Sequence, residues 1–363
     1  MSIFEIHDKF PNQFNCIVND LSCNNVNKNN NSFTLNKKAL TLLKNNSRDE
    51  YKKLAATLEK KEMPNWKKKC KNRIIKINNA VITNTGIIIN SRGIWKLGGC
   101  TDNRINNQHM ASIVNYYRTV IKTQKLYNKV ISIAGFWTNG VWHFPMEALV
   151  GLRLINQFDN GYLHIAQKNK LCLEWLKLYN SNIAHDKILD GTVFAKELWL
   201  PEMGRCGNPY FEQVIWLKET INRAIIPQKE NNLFILIKRN KRRMVKNHDI
   251  IEKVCKNYCE KNNLVFYLHD DLFLPPLKTQ LEIFNKAKII IGPHGGGGVN
   301  LITTKEKTYF IEFLNEQDIN ICYARLAHLL NVNYFGITYS LSEGVNINSD
   351  LLPVLQEVRS LLI

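Results

Sequence analysis

The stretch A-K-I-I-I-G-P-H-G-G-G-G-V-N-L-I, residues 287–302, decides the fold. A β-branched run, Ile289 to Ile291, stops at Gly292-Pro293, and four consecutive glycines lead into a second apolar run from Val299. This is the pattern of a buried parallel strand, a glycine-rich turn and the start of a helix. Glycine lets backbone N–H groups approach a ligand closely, and the free N–H groups of a helix start favour negative charge. The stretch therefore predicts a phosphate or diphosphate site with His294 at its rim.

The glycine run has an alternative interpretation, because a turn of this kind also serves to pack a helix against a sheet. It lacks the Gly-Lys-Ser/Thr ending of a P-loop, and it does not open the first βαβ unit of the chain. These features disfavour ATP hydrolysis and NAD binding. A nucleotide with a diphosphate stays as the hypothesis.

Apolar runs alternate with helical segments throughout the second half of the chain. The pattern predicts strands at 233–237, 264–268, 289–291, 309–313 and 334–338, with helices at 248–260, 279–287 and 319–330. This alternation predicts a parallel sheet covered on both faces, and ligands of such sheets sit beyond the carboxyl ends of the strands. Arg239, His294 and the residues after Glu312 are expected at that edge.

A basic loop follows the first of these strands and reads Lys238-Arg239-Asn240-Lys241-Arg242-Arg243. A run of this kind is often only a solvated turn. Here the same sheet edge carries the glycine loop, and the planar fork of arginine suits bidentate contact with phosphate oxygens. The two loops together predict a cradle for a diphosphate.

A third motif, Asn139-Gly-Val-Trp-His143-Phe-Pro-Met-Glu147, follows a predicted strand at 130–133. Pro145 is favoured in the first turn of a helix, which puts His143 at the helix entrance and Glu147 about one turn in. His143 is a candidate general base whose imidazole is held or polarised by Glu147. The alternative is that His143 caps the helix and Glu147 faces solvent.

Glu312 ends an apolar strand at the expected binding edge. A carboxylate there can accept hydrogen bonds from a ribose diol, or it can cap the next turn. The sequence contains no D-x-D pair, and Asp270 and Asp271 are adjacent. This argues against a diphosphate site bridged by a metal ion.

The composition indicates a globular protein with an anionic partner. The net charge of +18 arises from 49 Lys+Arg against 31 Asp+Glu, which fits a nucleotide, an acidic glycan, a nucleic acid or a membrane surface. The nine cysteines are scattered without a C-x-x-C pair, so neither a zinc site nor a disulfide framework is expected. With no signal-like N-terminus and no apolar run of about 20 residues, the chain is expected to be soluble and cytoplasmic, in a reducing compartment.

The chain is predicted to hold three parts. Residues 1–70 form an Asn/Lys-rich segment of unclear role, with helical patches near 37–44 and 49–61. Residues 71–226 begin with short strands and continue as alternating strands and helices, and a break at 226–232 precedes the second domain, 227–363.

These motifs resemble those of glycosyltransferase family 61, which includes plant xylan xylosyl- and arabinosyltransferases and animal enzymes that add N-acetylglucosamine to O-mannose or to EGF domains. The hallmark G-P-H-G-A-G-L-x-N, followed by an apolar strand ending in Glu, is similar to Gly292–Asn300 with Ile311-Glu312. The family's basic loop is similar to Arg239–Arg243 with Asn247, and its H-W-x-x-[D/E] helix entrance to His143–Glu147. Gly296, Gly298 and Phe144 depart from the family's usual residues, and the membrane anchor of its eukaryotic members has no counterpart.

The resemblance implies an α/β protein of the GT-B type, with two Rossmann-like domains whose parallel sheets face a central cleft. It implies an acceptor-side domain at 71–226 and a nucleotide-sugar domain at 227–363. The expected reaction is inverting sugar transfer from a nucleotide-sugar donor, UDP-linked, to a hydroxyl of a glycan or glycoprotein, without an essential metal or further cofactor. The expected catalytic residues are His143 and Glu147, and the expected donor-binding residues are Arg239, Arg242, Arg243, His294, Gly295, Gly296, Gly297, Asn300 and Glu312.

Two other functions compete with this one. A nucleic-acid-binding protein is motivated by the net charge, although no nucleic-acid motif supports it, and no nucleic-acid partner is expected. A catalytically inactive scaffold that binds a nucleotide sugar is the second, and substitution of His143 and Glu147 distinguishes it from an enzyme.

Overall fold

Strands alternate with helices along most of the chain in the computed structural model, which describes residues 3–9, 11–13, 15–18, 31–97, 125–155, 161–180 and 182–362. The strands are β1 Asn15–Val18, β2 Phe33–Leu35, β3 Arg73–Ile82, β4 Ile87–Asn90, β5 Gly93–Lys96, β6 Leu126–Ser132, β7 Tyr162–His164, β8 Ile188–Leu189, β9 Val193–Pro201, β10 Leu233–Lys238, β11 Val265–Asp270, β12 Ala287–Pro293, β13 Tyr309–Asn315, β14 Asn333–Ser340 and β15 Gly344–Val345. The α-helices are α1 Ile3–Lys9, α2 Lys37–Lys44, α3 Asp49–Glu59, α4 Lys170–Tyr179, α5 Phe211–Ala224, α6 His248–Lys261, α7 Leu277–Asn285, α8 Cys322–Leu329 and α9 Leu352–Leu362.

The described residues divide between two compact units. Residues up to 18 and from 68 to 220 form the first unit, and residues 31–67 and 221–362 form the second. The sequence predicted the boundary near residue 226 and set residues 1–70 apart as one segment. In the structure that segment is shared, because β1 pairs with β3 in the first sheet and β2 pairs with β14 in the second.

The second unit is built on the parallel sheet that the sequence predicted. Its strand order is β11-β10-β12-β13-β14-β15, with β2 also paired to β14. The pairs from β11 to β14 are all parallel, whereas β15 is antiparallel. The chain therefore leaves β10 to one side for β11 and returns to its other side for β12. A reversal of strand order of this kind opens a crevice beyond the carboxyl ends of the two strands, here β10 and β12.

Both faces of this sheet are buried, which explains the uninterrupted apolar runs of its strands. On one face Phe234, Ile289, Ile311 and Phe335 lie in a single core with residues of α6 and α9. The residues that alternate with them, such as Ile290, are also buried. The stability of this unit rests on a sheet covered from both sides.

The N-terminal residues 31–67 are an integral part of the second unit. Phe33 of β2 stacks on Tyr334 of β14, with the ring centroids 4.9 Å apart. Glu50 of α3 forms an ion pair with the buried Arg325 of α8 at 3.1 Å. The role of this segment, which the sequence left open, is to complete the sheet beyond β14.

The first unit contains a mixed sheet of eight described strands, in the order β5-β4-β3-β9-β6-β7-β8 with β1 beside β3. Strands β9, β6, β7 and β8 run parallel, whereas β1, β3, β4 and β5 pair antiparallel. The expectation of a purely parallel sheet is therefore wrong for this half. The cause is local, since the turns at Gly86 and Gly93 fold β3, β4 and β5 back on one another, and Gly86 has the positive φ of 77° that such a turn favours.

The described helices are short and amphipathic. The longest, α5 and α6, have 14 residues each. In α6 both Cys255 and Cys259 are buried in the core, which confirms that these two cysteines serve packing. Among the described residues no helix combines the length and the apolar character that a membrane span requires.

The structure contains a disulfide bond that the sequence did not predict, because Cys206 is disulfide-bonded. The other described cysteines form no disulfide. A single bridge is not a disulfide framework and leaves no spacing pattern in the sequence. A location in a reducing compartment stays a prediction, and cysteine usage alone no longer supports it.

A buried ion pair ties the end of β9 to β3. The Arg73 guanidinium donates to both carboxylate oxygens of Glu202, at 2.8 and 3.2 Å, and both residues are buried. It also reaches Asp8, at 2.6 Å. Two charges removed from water must be fully paired, so these contacts fix the chain where it leaves β9.

We predict that Arg73→Met lowers the free energy of unfolding of the first unit by about 3–5 kcal/mol, because it leaves the Glu202 carboxylate buried without its partner. Urea unfolding followed by tryptophan fluorescence measures the loss. The signal reports mainly on the first unit, because six of the seven tryptophans belong to it and only Trp66 belongs to the second. Lys71→Ala is the control, since this exposed lysine pairs with Asp8 at 3.0 Å and its loss costs less than about 1 kcal/mol. Equal losses for the two variants would contradict the prediction.

Candidate functional site

The basic loop and the glycine loop meet at the carboxyl edge of the second sheet, on either side of the reversal of strand order. Arg239 follows β10 directly, and Gly295 follows β12 by two residues. The two are in close contact, because a methyl group added to Gly295 would overlap the guanidinium of Arg239. The structure thus brings these two predicted site residues together.

Arg239 is held from the side of β11. Its Nε lies 3.5 Å from a carboxylate oxygen of Asp271, and the Asn240 amide fixes that carboxylate by donating to Asp271 at 2.8 Å and to Asp270 at 2.6 Å. Among the described residues the guanidinium makes no hydrogen bond, although its side chain is only 20% exposed. Donors that are fixed in place and unsatisfied can bind an anion at little cost in reorganisation.

Packing explains several of the glycines in the loop. A Cβ atom at Gly292 would stand 2.6 Å from Cβ of Ile237, and one at Gly298 would stand 2.8 Å from the ring of Tyr323. Gly296 and Gly297 are half-buried and begin the 3-10 helix Gly296–Thr303. The packing interpretation therefore holds for Gly292 and Gly298, and the ligand contact of the half-buried Gly296 and Gly297 stays a prediction.

The rest of the basic loop crosses the sheet edge toward β15. Arg243 lies 3.6 Å from Asp318, which follows β13. Asn247 donates to the backbone carbonyl of Val345 at 2.7 Å and accepts from its N–H at 3.0 Å. Arg242 points into solvent and forms no ion pair with any residue that the structure describes. Of the two predicted donor-binding arginines Arg242 and Arg243, only Arg243 is fixed at the edge by an ion pair within the described residues.

His294 lies beneath the glycine loop and is bonded within the protein. Its Nδ1 stands 2.6 Å from Oε1 of Glu312, and the Tyr334 hydroxyl donates to Oε2 of the same carboxylate at 2.6 Å. Nε2 lies 3.9 Å from the sulfur of Cys322. Glu312 is fully buried, and both its oxygens are bonded internally. The ribose contact of Glu312 and the diphosphate contact of His294 stay predictions, and in the structure these residues support each other.

The tyrosines around this network remain protonated. Burial, with the adjacent Glu312 carboxylate as a second cause, raises the pKa of Tyr334 well above its usual value. Burial likewise raises the pKa of Tyr323 far above that of a free tyrosine. Tyr334 therefore keeps its proton and donates a hydrogen bond to the carboxylate at any physiological pH.

Asn300 lies inside the 3-10 helix and is almost fully buried. Its amide nitrogen stands 3.5 Å from Oε1 of Gln280, and its carbonyl oxygen has no hydrogen-bond partner among the described residues. The predicted donor contact of Asn300 stays a prediction, and this side chain lies beneath the loop.

A cavity of about 510 Å³ lies at the same carboxyl edge, beside the ends of β2, β13 and β14. Its walls are polar and include Asn36, Glu316, Ser340 and Asp350. Val345, which Asn247 of the basic loop holds in place, forms part of the wall. The N-terminal segment therefore contributes directly to the surface of this edge.

In the first unit the third motif forms the predicted pair. Nδ1 of His143 lies 2.7 Å from Oε1 of Glu147. The Glu147 side chain is 1% exposed and that of His143 is 27% exposed. The alternative of a capping histidine and a solvated glutamate does not hold, because His143 makes no side-chain cap and Glu147 is buried.

The backbone around this pair is irregular. Phe144–Ala148 is one turn of π-helix and Leu149–Leu154 continues as 3-10 helix, where the sequence predicted a regular amphipathic helix. Single π turns occur frequently at functional sites. The loop after β9 packs against the turn, since the Gly204 N–H donates to the backbone carbonyl of Glu147 at 2.8 Å. A methyl group on Gly204 would overlap the backbone of Met146, so this close approach requires glycine.

The same loop places a sulfur beside the pair. Ligand atoms of His143, Glu147 and Cys206 all lie within 4.8 Å of one another. His143 follows β6 and Cys206 follows β9, and these are neighbouring parallel strands. The carboxyl edge of the first sheet thus gathers an imidazole, a carboxylate and the sulfur of a disulfide.

Several residues of the two sites were missed by the sequence reasoning. Asp271, Tyr323, Tyr334 and Cys206 act through contacts with residues far away along the chain, and none belongs to a recognisable motif. The position of Asp271 just after β11 was the one available signal, because it put a carboxylate at the edge that also carries Arg239.

The comparison with known protein families agrees with the motifs. The family model described as Glycosyltransferase 61 matches residues 141–311. The matched segment begins two residues before His143 and ends one residue before Glu312. No curated protein matches the chain. The match over residues 141–311 agrees with the resemblance to glycosyltransferase family 61 that the motifs around His143 and His294 carry.

Proposed function

We propose that the protein is an inverting glycosyltransferase that transfers a sugar from a UDP-linked donor to a hydroxyl of a glycan or glycoprotein, without an essential metal ion. Its family supports sugar transfer between a donor and an acceptor. The observation that carries the donor site is the contact of Arg239 with Gly295 at the reversal of strand order in the second sheet.

The diphosphate of the donor binds between the basic and glycine loops. Arg239 presents unsatisfied guanidinium donors, and the half-buried Gly296 and Gly297 expose backbone at the start of a 3-10 helix. Charge grows on the diphosphate as it leaves the sugar, and a fixed guanidinium stabilises that charge. The cavity of about 510 Å³ at the same edge has room for the nucleoside part of the donor.

His143 is the general base for the acceptor hydroxyl. Its Nδ1 faces Glu147, which leaves Nε2 to take the proton. The buried Glu147 carboxylate orients the ring and stabilises the imidazolium that forms. Direct attack of the deprotonated hydroxyl on the sugar carbon inverts the configuration at that carbon.

The absence of a D-x-D pair and the presence of Arg239 favour charge stabilisation by arginine over a bridging metal ion. Each unit supplies one half of the reaction, and we propose that the two units adopt the GT-B arrangement that the family resemblance implies.

The test of the donor class is thermal stabilisation of the purified chain against UDP-, GDP-, CMP- and dTDP-sugars, with and without a chelator, because a ligand that binds the native state raises its Tm. A shift with UDP-sugars that persists in chelator is expected. A shift that disappears in chelator would overturn metal independence, and a response to nucleic acid alone would overturn the enzyme.

We predict that Arg239→Ala weakens UDP-sugar binding by about 10- to 150-fold, the loss that corresponds to one hydrogen-bonded charge of about 1.5–3 kcal/mol. Gly295→Ala gives a loss of the same kind, because its methyl group displaces the guanidinium. Isothermal titration calorimetry with UDP measures both. Arg359→Ala, at an exposed arginine on α9, is the control and keeps the parent affinity. If Arg239→Ala also keeps that affinity, the diphosphate does not bind there.

We predict that His143→Ala lowers kcat by about 10²–10⁴-fold, the usual contribution of a general base, while the Kd for the donor is unchanged. Release of UDP in the presence of acceptor measures the rate, and NMR of the product gives the configuration of the new bond. His185→Ala, at an exposed histidine of the same unit, serves as the control. A His143→Ala protein as fast as the parent would exclude His143 as the base.

A further inference from the structure

A second chemistry is available at the His143 pair. An imidazole nitrogen, a carboxylate oxygen and a sulfur lie within 4.8 Å of one another. These are the three ligand types that bind zinc, at about 2.0–2.3 Å from the metal. Tetrahedral ligands at such lengths stand about 3.3–3.8 Å apart, so side-chain shifts of about an ångström bring the three atoms into range.

The surroundings resemble those of a site built for a cation. The Glu147 carboxylate is 1% exposed, and its one side-chain hydrogen bond among the described residues is the contact with His143. His143 and Cys206 are half-buried, which leaves an entry path for an ion. Zinc sites with three protein ligands keep a fourth position for water.

The sulfur is not a ligand in the structure as described, because it belongs to a disulfide. A thiolate binds zinc strongly, whereas a disulfide sulfur carries no charge. Access to the metal site is therefore controlled by the redox state of Cys206.

We propose that reduction of the Cys206 disulfide by a dithiol opens a zinc site formed by His143, Glu147 and Cys206, and that the bound metal withholds His143 from sugar transfer. The second part rests on the proposed function, whereas the metal site itself does not.

The dithiol gives two electrons and two protons to the protein disulfide, which becomes two thiols, and the dithiol becomes a cyclic disulfide. Zinc then displaces the thiol proton of Cys206 while the imidazole proton of His143 moves from Nδ1 to Nε2. One proton is released for each zinc ion bound. With Nδ1 bound to the metal and Nε2 protonated, the imidazole has no lone pair left to accept the proton of an acceptor hydroxyl.

The experiment compares metal binding by the full chain before and after reduction with a water-soluble phosphine, which is oxidised to its oxide with water as the source of the two protons. A phosphine is used because a dithiol itself binds zinc. We expect the reduced chain to bind Co²⁺ with thiolate-to-cobalt charge-transfer absorption, and Zn²⁺ to displace that signal. The oxidised chain gives neither.

Cys206→Ser is expected to weaken zinc binding to the reduced chain by more than about 100-fold. Loss of a group that only hydrogen-bonds to a metal ligand lowers the affinity less, by about 10- to 100-fold. Cys16→Ser is the matched control, since Cys16 is a half-buried free thiol of the same unit, and it keeps the parent affinity. Cobalt absorption that survives in Cys206→Ser, or equal zinc binding by the oxidised and reduced chains, would overturn the proposal.

A third variant covers the case in which loss of the bridge unfolds the unit. Cys206→Asp cannot form a disulfide but supplies a carboxylate oxygen, so it binds zinc with or without reductant, and circular dichroism reports whether it is folded. If Cys206→Asp and the reduced parent are both folded and neither binds zinc, the proposed site is refuted. Zinc that binds the reduced parent without slowing UDP release would refute only the link to His143 as the base.

Discussion

The structure of the second unit depends on one buried carboxylate, that of Glu312. An ionised group removed from water is very costly unless it is fully hydrogen-bonded, and Glu312 meets this requirement with the His294 ring and the Tyr334 hydroxyl, each at 2.6 Å. These contacts link His294, directly after β12, to Glu312 in the middle of β13 and to Tyr334 near the start of β14. The residue before the glycine loop is therefore fixed by the next two strands of the sheet. Tyr334 is in turn covered by Phe33. The N-terminal segment therefore helps to hold His294 in place, although it lies about 260 residues away along the chain.

The glycines of the loop leave space for side chains of neighbouring elements. Gly298 accommodates the ring of Tyr323, and Gly295 accommodates the guanidinium of Arg239. The departure from the family pattern at Gly298 is compensated by the ring of Tyr323, which occupies the space of the usual bulky residue. The anion site that we propose here combines an arginine with unsatisfied donors and the backbone beside it, so that both loops contribute to it.

The parts of the structure that are encoded locally could be predicted from the sequence. Each strand from β10 to β14 carries its own apolar run, so the parallel sheet followed from the sequence pattern. His143 and Glu147 are four residues apart, and this spacing gave their pairing as one of two alternatives, which the structure then decided. The rest depends on contacts between distant residues. The antiparallel half of the first sheet, the bonds of Glu312 with His294 and Tyr334, and the disulfide of Cys206 are decided by which segments meet after folding, and no local pattern reports that.

The buried carboxylate of Glu147 explains why one histidine can serve two chemistries. Its negative charge lies in a poorly solvated position, where electrostatic interactions are stronger than in water, and it stabilises any positive charge that forms beside it. In the proposed reaction that charge is an imidazolium on His143, and in the proposed reduced state it is a divalent cation. The two states exclude each other because both use the same ring nitrogens and the same carboxylate oxygen. In this proposal the disulfide, which removes the thiolate of Cys206, favours proton transfer by His143, whereas the free thiolate of Cys206 favours metal binding.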